Sequence, residues 1–256
     1  MKKNIKYILA LAVAPMMLAS CDDMLNKHPQ ATLSPETFFT NESEMMSFSN
    51  SFYTIFPSTG LYNENCDNYI GIDLISEIRD GRVIPGSGSG WSFTDLRKFN
   101  TLLDYSGNCK DEKVRNRYVG LARFFRAYFY FEKVKRFGDV PWYDTQLGSK
   151  DDRLYKARDT REFVMGKMLE DIDFAIANLP ETRSVYTVTK WTALALKSRF
   201  CLFEGTYRKY HEINEYEHDW KYWLELSAAA SAEFMNKSGY TLHTKEGATG
   251  SYQALF

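Results

Sequence analysis

Between residues 111 and 137 apolar side chains recur at helical spacing along two stripes rather than one. Val114, Tyr118, Leu121, Ala122, Phe125 and Phe129 form the first stripe; Phe124, Tyr128 and Phe131 form the second. A helix with two apolar faces packs on both sides and sits inside a helical protein. Gly138 is a suitable residue just past its end, and Pro141 blocks continuation. Shorter periodic segments flank it. Asn41 can cap a helix through Phe56, stopped by Pro57, and residues 92–105 place Phe93, Leu96, Phe99, Leu102 and Leu103 together. Asp159-Thr160-Arg161-Glu162 reads like a capping box ahead of the stripe Met165, Met168, Leu169, Ile172, Ala175, Ile176 and Leu179, which ends at Pro180. Thr189 can cap a helix carrying Trp191, Leu194, Ala195, Ser198, Leu202 and Gly205; residues 219–237 carry Trp223, Leu226, Ala230 and Phe234.

The spacing predicts an all-α chain with long irregular loops. Residues 111–137 with 160–179, and 189–211 with 219–237, read as two antiparallel pairs. Small residues at Ala193, Ala195 and Ala228 to Ala230 permit close contact. This is tetratricopeptide-like logic, although no strict repeat is visible and a globular arrangement without repeats fits the periodicity equally well. Val185 to Val188 is only weakly strand-like. Residues 57–90 are loop-rich, with room for a short helix between Tyr69 and Ile78, and residues 142–158 form a polar connection.

The amino terminus is a targeting segment. Lys2, Lys3 and Lys6 precede an apolar run from Tyr7 to Leu18, too short for a comfortable span, and Leu18-Ala19-Ser20-Cys21 follows. This reads as a bacterial lipoprotein signal over residues 1–20 with Cys21 as the acylated first residue; an ordinary signal peptide beside an incidental cysteine is the other reading. Each acyl methylene that enters the bilayer contributes about 0.8 kcal/mol. Residues 21–40 then form a lipidated tether, and the helical domain spans 41–256. Asp22 and Asp23 follow the cysteine; an acidic stretch there fits either inner-membrane retention or surface export, according to the sorting system. Of the other cysteines, Cys66 and Cys109 lie near loops and are able to pair, while Cys201 falls in a helical pattern as a small core residue.

Charge and motifs narrow the chemistry. Lys plus Arg number 32 against 33 Asp plus Glu; three lysines leave with the signal, so 29 face 33 and the formal charge moves from -1 to -4. That balance argues against a nucleic-acid partner. His28, His211, His218 and His243 have no zinc-site spacing, and Gly86-Ser87-Gly88-Ser89-Gly90 is neither a nucleophile elbow nor a phosphate loop. Carboxylates such as Glu170, Asp171 and Asp173 read as the solvated face of a helix. No catalytic group, metal or cofactor is called for. Aromatic residues at 16% are the outlier, and they serve either a thick helical core or a sugar- or peptide-binding face.

Gly120-Leu121-Ala122-Arg123-Phe124-Phe125-Arg126-Ala127-Tyr128-Phe129-Tyr130-Phe131, followed by Phe137-Gly138-Asp139-Val140-Pro141, resembles the hallmark of the SusD/RagB family. Leu25-Asn26-Lys27-His28-Pro29, the segment from Arg158 to Pro180 and the helix from Thr189 to Arg199 resemble further family segments in the same order. The resemblance implies a tetratricopeptide-like scaffold and a cell-surface lipoprotein anchored in the outer membrane. Such a protein captures oligosaccharides and delivers them to a SusC-like TonB-dependent transporter, without catalysis. Members are usually about double this length, so the chain resembles the N-terminal part of the usual family length; a fragment incomplete at its C-terminus, a truncated gene product and a shortened homologue all fit. Sugar rings stack on aromatic faces while their hydroxyls need polar partners. Asp67, Asn68, Tyr69, Arg79, Asp80 and Trp91 lie where family members often place such groups, although Trp91, just before a helix, also suits a core. A tetratricopeptide-type scaffold binding protein without saccharide is the alternative, and a lipid-anchored glycan hydrolase a third reading. Replacing Cys21 with Ser is expected to abolish the lipid increment in the intact mass and to shift the protein out of the membrane fraction. An unchanged mass would rule Cys21 out as the anchor.

Overall fold

Four helices begin on side chains that accept a hydrogen bond from the backbone N–H three residues later. Asn41 accepts from Glu44 at 3.1 Å, Asp111 from Val114 at 3.1 Å, Thr160 from Phe163 at 3.3 Å and Asp219 from Tyr222 at 3.0 Å. Each cap satisfies one amide that the first helical turn leaves without a partner. In the computed structural model the described residues are 34–57, 90–247, 250, 251 and 254. Among them lie six α-helices and no strand. They are α1 (Glu42–Ser49), α2 (Thr94–Tyr105), α3 (Glu112–Phe137), α4 (Arg161–Asn178), α5 (Lys190–Tyr210) and α6 (Trp220–Lys237). Short 3-10 turns follow α1 at Asn50–Ile55 and α2 at Ser106–Asn108. The chain divides into two compact units, Met1–Phe38 and Phe39–Phe256. In the first, the amides of Thr37 and Phe38 turn back to the carbonyls of Ser34 and Pro35. The second holds all six helices. No described helix is long and apolar enough to cross a membrane.

The two expected pairs form. Along α3 and α4, Gly120 lies beside Ala175 and Asn178 while Arg126 meets Asp171, so the helices run in opposite directions. Along α5 and α6, Trp191 packs with Ala230, Ser198 with Ser231 and Gly205 with Leu224, again antiparallel. The α3 interior is buried nearly all round, as its two stripes require. Phe125 is the hub of an aromatic cluster. Its ring lies 5.7 Å from Phe52, 5.0 Å from Tyr53, 5.4 Å from Phe56 and 5.7 Å from Phe99. Each such pair adds about 0.5–1.5 kcal/mol beyond its area. Much of the aromatic excess is therefore core.

Three details differ from the pattern reading. Thr160 rather than Asp159 caps α4, because Asp159 accepts the Trp142 N–H at 2.6 Å and pairs with Lys156. The α5–α6 contact is made by Gly205, Ser198, Ser227, Ser231 and Ala230, while Ala195, Ala228 and Ala229 face outward. A side chain at Gly205 would meet Leu224 at 2.7 Å, so that close approach needs the missing Cβ. Asp171, far from being solvated, is buried against α3, while its neighbours Glu170 and Asp173 are exposed.

A second buried charge group joins α4 to α5. Glu204 accepts from Arg161 Nε at 2.8 Å and from Arg208 Nε at 2.8 Å, and all three side chains are nearly inaccessible. Arg208 also pairs with Glu162 and donates to the His218 carbonyl. The Arg161 guanidinium sits 3.8 Å from the Tyr207 ring centre. Glu204→Gln would leave the buried Arg161 guanidinium without its charge partner and Arg208 with Glu162 alone, and is expected to cost about 3–5 kcal/mol in urea unfolding. The exposed Glu170→Gln is expected to stay within about 0.5 kcal/mol. Burial pushes the Cys201 thiol up to about 12. Peptide mapping after iodoacetamide treatment at pH 8 should therefore find Cys201 unmodified in the folded chain and alkylated after unfolding.

Candidate functional site

The connection between α3 and α4 is irregular, yet polar contacts hold it along its length. Gly138 ends α3 at φ +71° and ψ -113°, a backbone conformation that suits glycine. Asp139 then accepts the Arg161 N–H at 2.8 Å, so the turn that closes α3 also helps open α4. Val140 and Asp159 form an antiparallel bridge across the base of the connection. The Tyr130 hydroxyl, buried in α3, donates to the Pro141 carbonyl at 3.2 Å and accepts the Tyr143 N–H at 2.7 Å. Burial pushes this phenol well above its ordinary range, so it stays a neutral donor. Asn100 of α2 donates to the carbonyls of Tyr143 and Thr145 at 2.9 and 3.1 Å. Asp104 accepts the Gln146 N–H at 2.7 Å and the Thr145 hydroxyl at 2.9 Å.

These contacts stand the connection opposite the start of α2 and open a cleft of about 530 Å³ between them. One wall carries Trp91, Phe93 and Arg97; the other carries Tyr143, Lys156 and Arg158. Trp91 is 40% exposed at the mouth. Its ring is set edge-on by Phe137 at 4.9 Å and Phe93 at 5.3 Å, and the Arg158 guanidinium lies 4.9 Å from its centre. Phe93 continues the aromatic surface to Tyr143 at 5.8 Å. The Tyr143 hydroxyl donates to the Leu154 carbonyl, and desolvation raises its pKa. Lys133 supports the rim from behind: its Nζ donates to the Gly90 carbonyl and lies 4.8 Å from the Phe129 ring, and burial lowers its pKa. No Asp or Glu lines the cleft among the described residues. No group of three metal-ligating side chains occurs among them either. The surface offers ring faces, backbone and side-chain donors, and positive charge. A ligand with one apolar face and polar edges suits it.

Of the residues expected to contact a ligand, Trp91 lies in this cleft. Asp67, Asn68, Tyr69, Arg79, Asp80 and the lipidation candidate Cys21 fall outside the described residues. So do the short helix proposed for Tyr69 to Ile78 and the Cys66 end of a pairing with Cys109, itself buried. Phe93, Tyr143, Arg97, Lys156 and Arg158 were not expected at a site. The available signal was the aromatic pair Trp142-Tyr143, directly after Pro141 in an otherwise polar stretch.

Three comparisons converge on one kind of protein. A SusD-like family model, described as starch-binding associating with outer membrane, matches residues 92–202, the span from the start of α2 into α5. SusD-like protein P38 of Formosa agariphila is 25% identical over 232 residues, covering 84% of this chain and 44% of that protein. SusD-like protein P2 of the same organism is 22% identical, covering 80% and 44%. Among solved structures, a SusD-like protein from Bacteroides fragilis superposes with a TM-score of 0.60 at 23% identity, covering 85% of this chain and 43% of that one. A SusD homolog from Bacteroides thetaiotaomicron gives 0.60 at 20% identity, covering 82% and 43%. The chain thus spans under half the length of the relatives it matches. Asn100→Ala would strip the half-buried Tyr143 and Thr145 carbonyls of a shared donor. It is expected to lower stability by about 1–3 kcal/mol in urea titration. An unchanged midpoint would mean that Asn100 does not hold this wall.

Proposed function

From its similarity to SusD-like proteins we propose that the chain is a glycan-binding lipoprotein of the cell surface. It captures oligosaccharides and delivers them to a SusC-like TonB-dependent transporter in the outer membrane, and it performs no catalysis of its own. The observation that carries this reading is the cleft at Trp91, where ring faces and polar groups meet in a volume of about 530 Å³. That volume is in the range of small-molecule sites. The matched family's description, starch-binding and outer-membrane association, points the same way.

In this reading residues 1–20 are removed and Cys21 carries the acyl chains. Residues 21–40 tether the helical domain of residues 41–256. Asp67, Asn68, Tyr69, Arg79 and Asp80 are further proposed contacts to the sugar, the two carboxylates as acceptors for its hydroxyls. Trp91 stacks on a pyranose face, and Arg97, Tyr143 and Arg158 meet hydroxyls or substituents at its edges.

A protein-binding scaffold without saccharide is the second reading. The outer face of α5 favours it. Leu202 is 52% and Tyr210 77% exposed there, and the Phe203, Tyr207 and His211 rings form a row beside them. Exposed Leu202 and Tyr210 beside the half-buried Phe203 and Tyr207 rings suit a protein contact.

A panel of oligosaccharides screened by array and then by isothermal titration separates the two. Trp91→Ala is expected to weaken the best ligand about thirtyfold, ~2 kcal/mol, with Trp91→Phe in between. No binding across the panel, together with retained association with the transporter, would favour the scaffold. Undiminished sugar binding by Trp91→Ala would move the site elsewhere.

A further inference from the structure

We propose that the cleft selects acidic oligosaccharides, sugars carrying a uronate carboxylate or a sulfate ester, over neutral ones; this rests on the glycan-binding reading above. Arg97, Lys156 and Arg158 line the cleft, and no Asp or Glu lines it among the described residues. The imbalance is local, because the chain as a whole carries a formal charge of -1.

Three neighbouring carboxylates are engaged by lysines, one of them by the cleft's own Lys156, so the uncompensated charge rests on Arg97 and Arg158. Asp95 pairs with Lys98 at 2.8 Å, Glu132 with Lys135 at 2.6 Å and Asp159 with Lys156 at 2.6 Å. Arg97 and Arg158 make no ion pair among the described residues, and both are exposed. Two further cations back the rim. Lys133 donates to the Gly90 carbonyl, and the Arg136 side chain passes 3.9 Å from the Cβ position of Gly90.

The placement of Arg158 matters most. Its guanidinium lies over the Trp91 ring, 4.9 Å from the centre, so an anionic group on a sugar bound at this indole has a planar positive group beside it. A planar guanidinium matches a carboxylate or sulfate with two parallel hydrogen bonds, and such charge-assisted bonds are about twice as strong as neutral ones. A neutral sugar covering the same surface would desolvate Arg97 and Arg158 and return only hydroxyl contacts. An acidic one neutralises them. The cationic wall also raises the local concentration of an anionic ligand, an effect that weakens with salt.

The test is isothermal titration of the full chain against three oligomers of matched length: oligogalacturonate, sulfated galactan and neutral galactan, each at low and physiological salt. At least one acidic oligomer is expected to bind about tenfold or more tighter than the neutral one, with affinity falling as salt rises. Whichever acidic arm binds identifies the anionic group. Arg97→Gln and Arg158→Gln are each expected to weaken that arm about ten- to hundredfold. Circular dichroism should show both variants folded, since each side chain is exposed. Neutral oligomers binding as tightly as acidic ones, with both Arg variants unaffected, would overturn the acidic selectivity and leave glycan capture standing. If only neutral sugars of the wider panel bind, the selectivity is likewise wrong. If no oligosaccharide binds at all, the glycan reading falls and the selectivity falls with it.

Discussion

The buried pair between Arg126 of α3 and Asp171 of α4 holds this structure in register. Nε donates to one carboxylate oxygen at 2.6 Å and Nη2 to the other at 2.8 Å, a two-pronged contact in the interior. Burial pushes the Asp171 carboxyl above its ordinary value, and the guanidinium pulls it back. Burial alone would lower Arg126, and Asp171 holds it above its usual value. Two opposed ions in mutual hydrogen-bond contact stay ionised. Such a pair contributes little net stability, since desolvation offsets the attraction. Its role here is positional. Nη1 donates onward to Asn100 Oδ1 at 3.1 Å and to the Asp144 carbonyl at 3.2 Å, so one guanidinium ties α2, α3, α4 and the connection to a common point.

The cleft inherits its shape from that point. Asn100, oriented by Arg126, holds the carbonyls of Tyr143 and Thr145, and Tyr130 holds the Tyr143 amide. Trp142 stacks on Tyr130 at 4.3 Å and lies beneath the Arg126 guanidinium. Tyr143 is therefore presented to the cleft by a loop whose backbone polar groups are already paired inward. A wall fixed before binding spares a ligand the entropy of ordering it. Segments that carry the family resemblance act here as framing. Gly120 packs against Ala175 and Asn178 of α4, Arg126 locks the pair, and Asp139 with Val140 joins the loop ends.

Helix positions were legible because caps, stops and apolar periods agree along the chain. Asn41, Asp111, Thr160, Thr189 and Asp219 each stand before an apolar stripe, and Gly138 and Pro180 follow one. The buried charges were harder to see, although the period contains them. Asp171 falls on the stripe Val164, Met168, Asp171, Ala175, three residues beyond Met168 and four before Ala175. Glu204 and Arg208 continue the buried line from Cys201 in the same way. Charged residues read as solvated unless the opposite helix is known to offer a partner, and that partner is a tertiary fact. Within the cleft, Trp91 stood out as an aromatic in a loop-rich stretch. Tyr143, Lys156 and Arg158 lie in a segment with no period, and only the hooks from α2 and α3 place them opposite Trp91.

The central claim is that the Arg126–Asp171 pair, through Asn100, holds the cleft wall in place. Amide hydrogen exchange on the Asp171→Asn chain tests it most directly, read at Tyr143 and Gln146, whose N–H groups bond to Tyr130 and Asp104. The account predicts that both amides exchange markedly faster in the variant, under conditions where the α5–α6 amides keep their protection. Unchanged protection at Tyr143 and Gln146, with loss confined to α3 and α4, would contradict it.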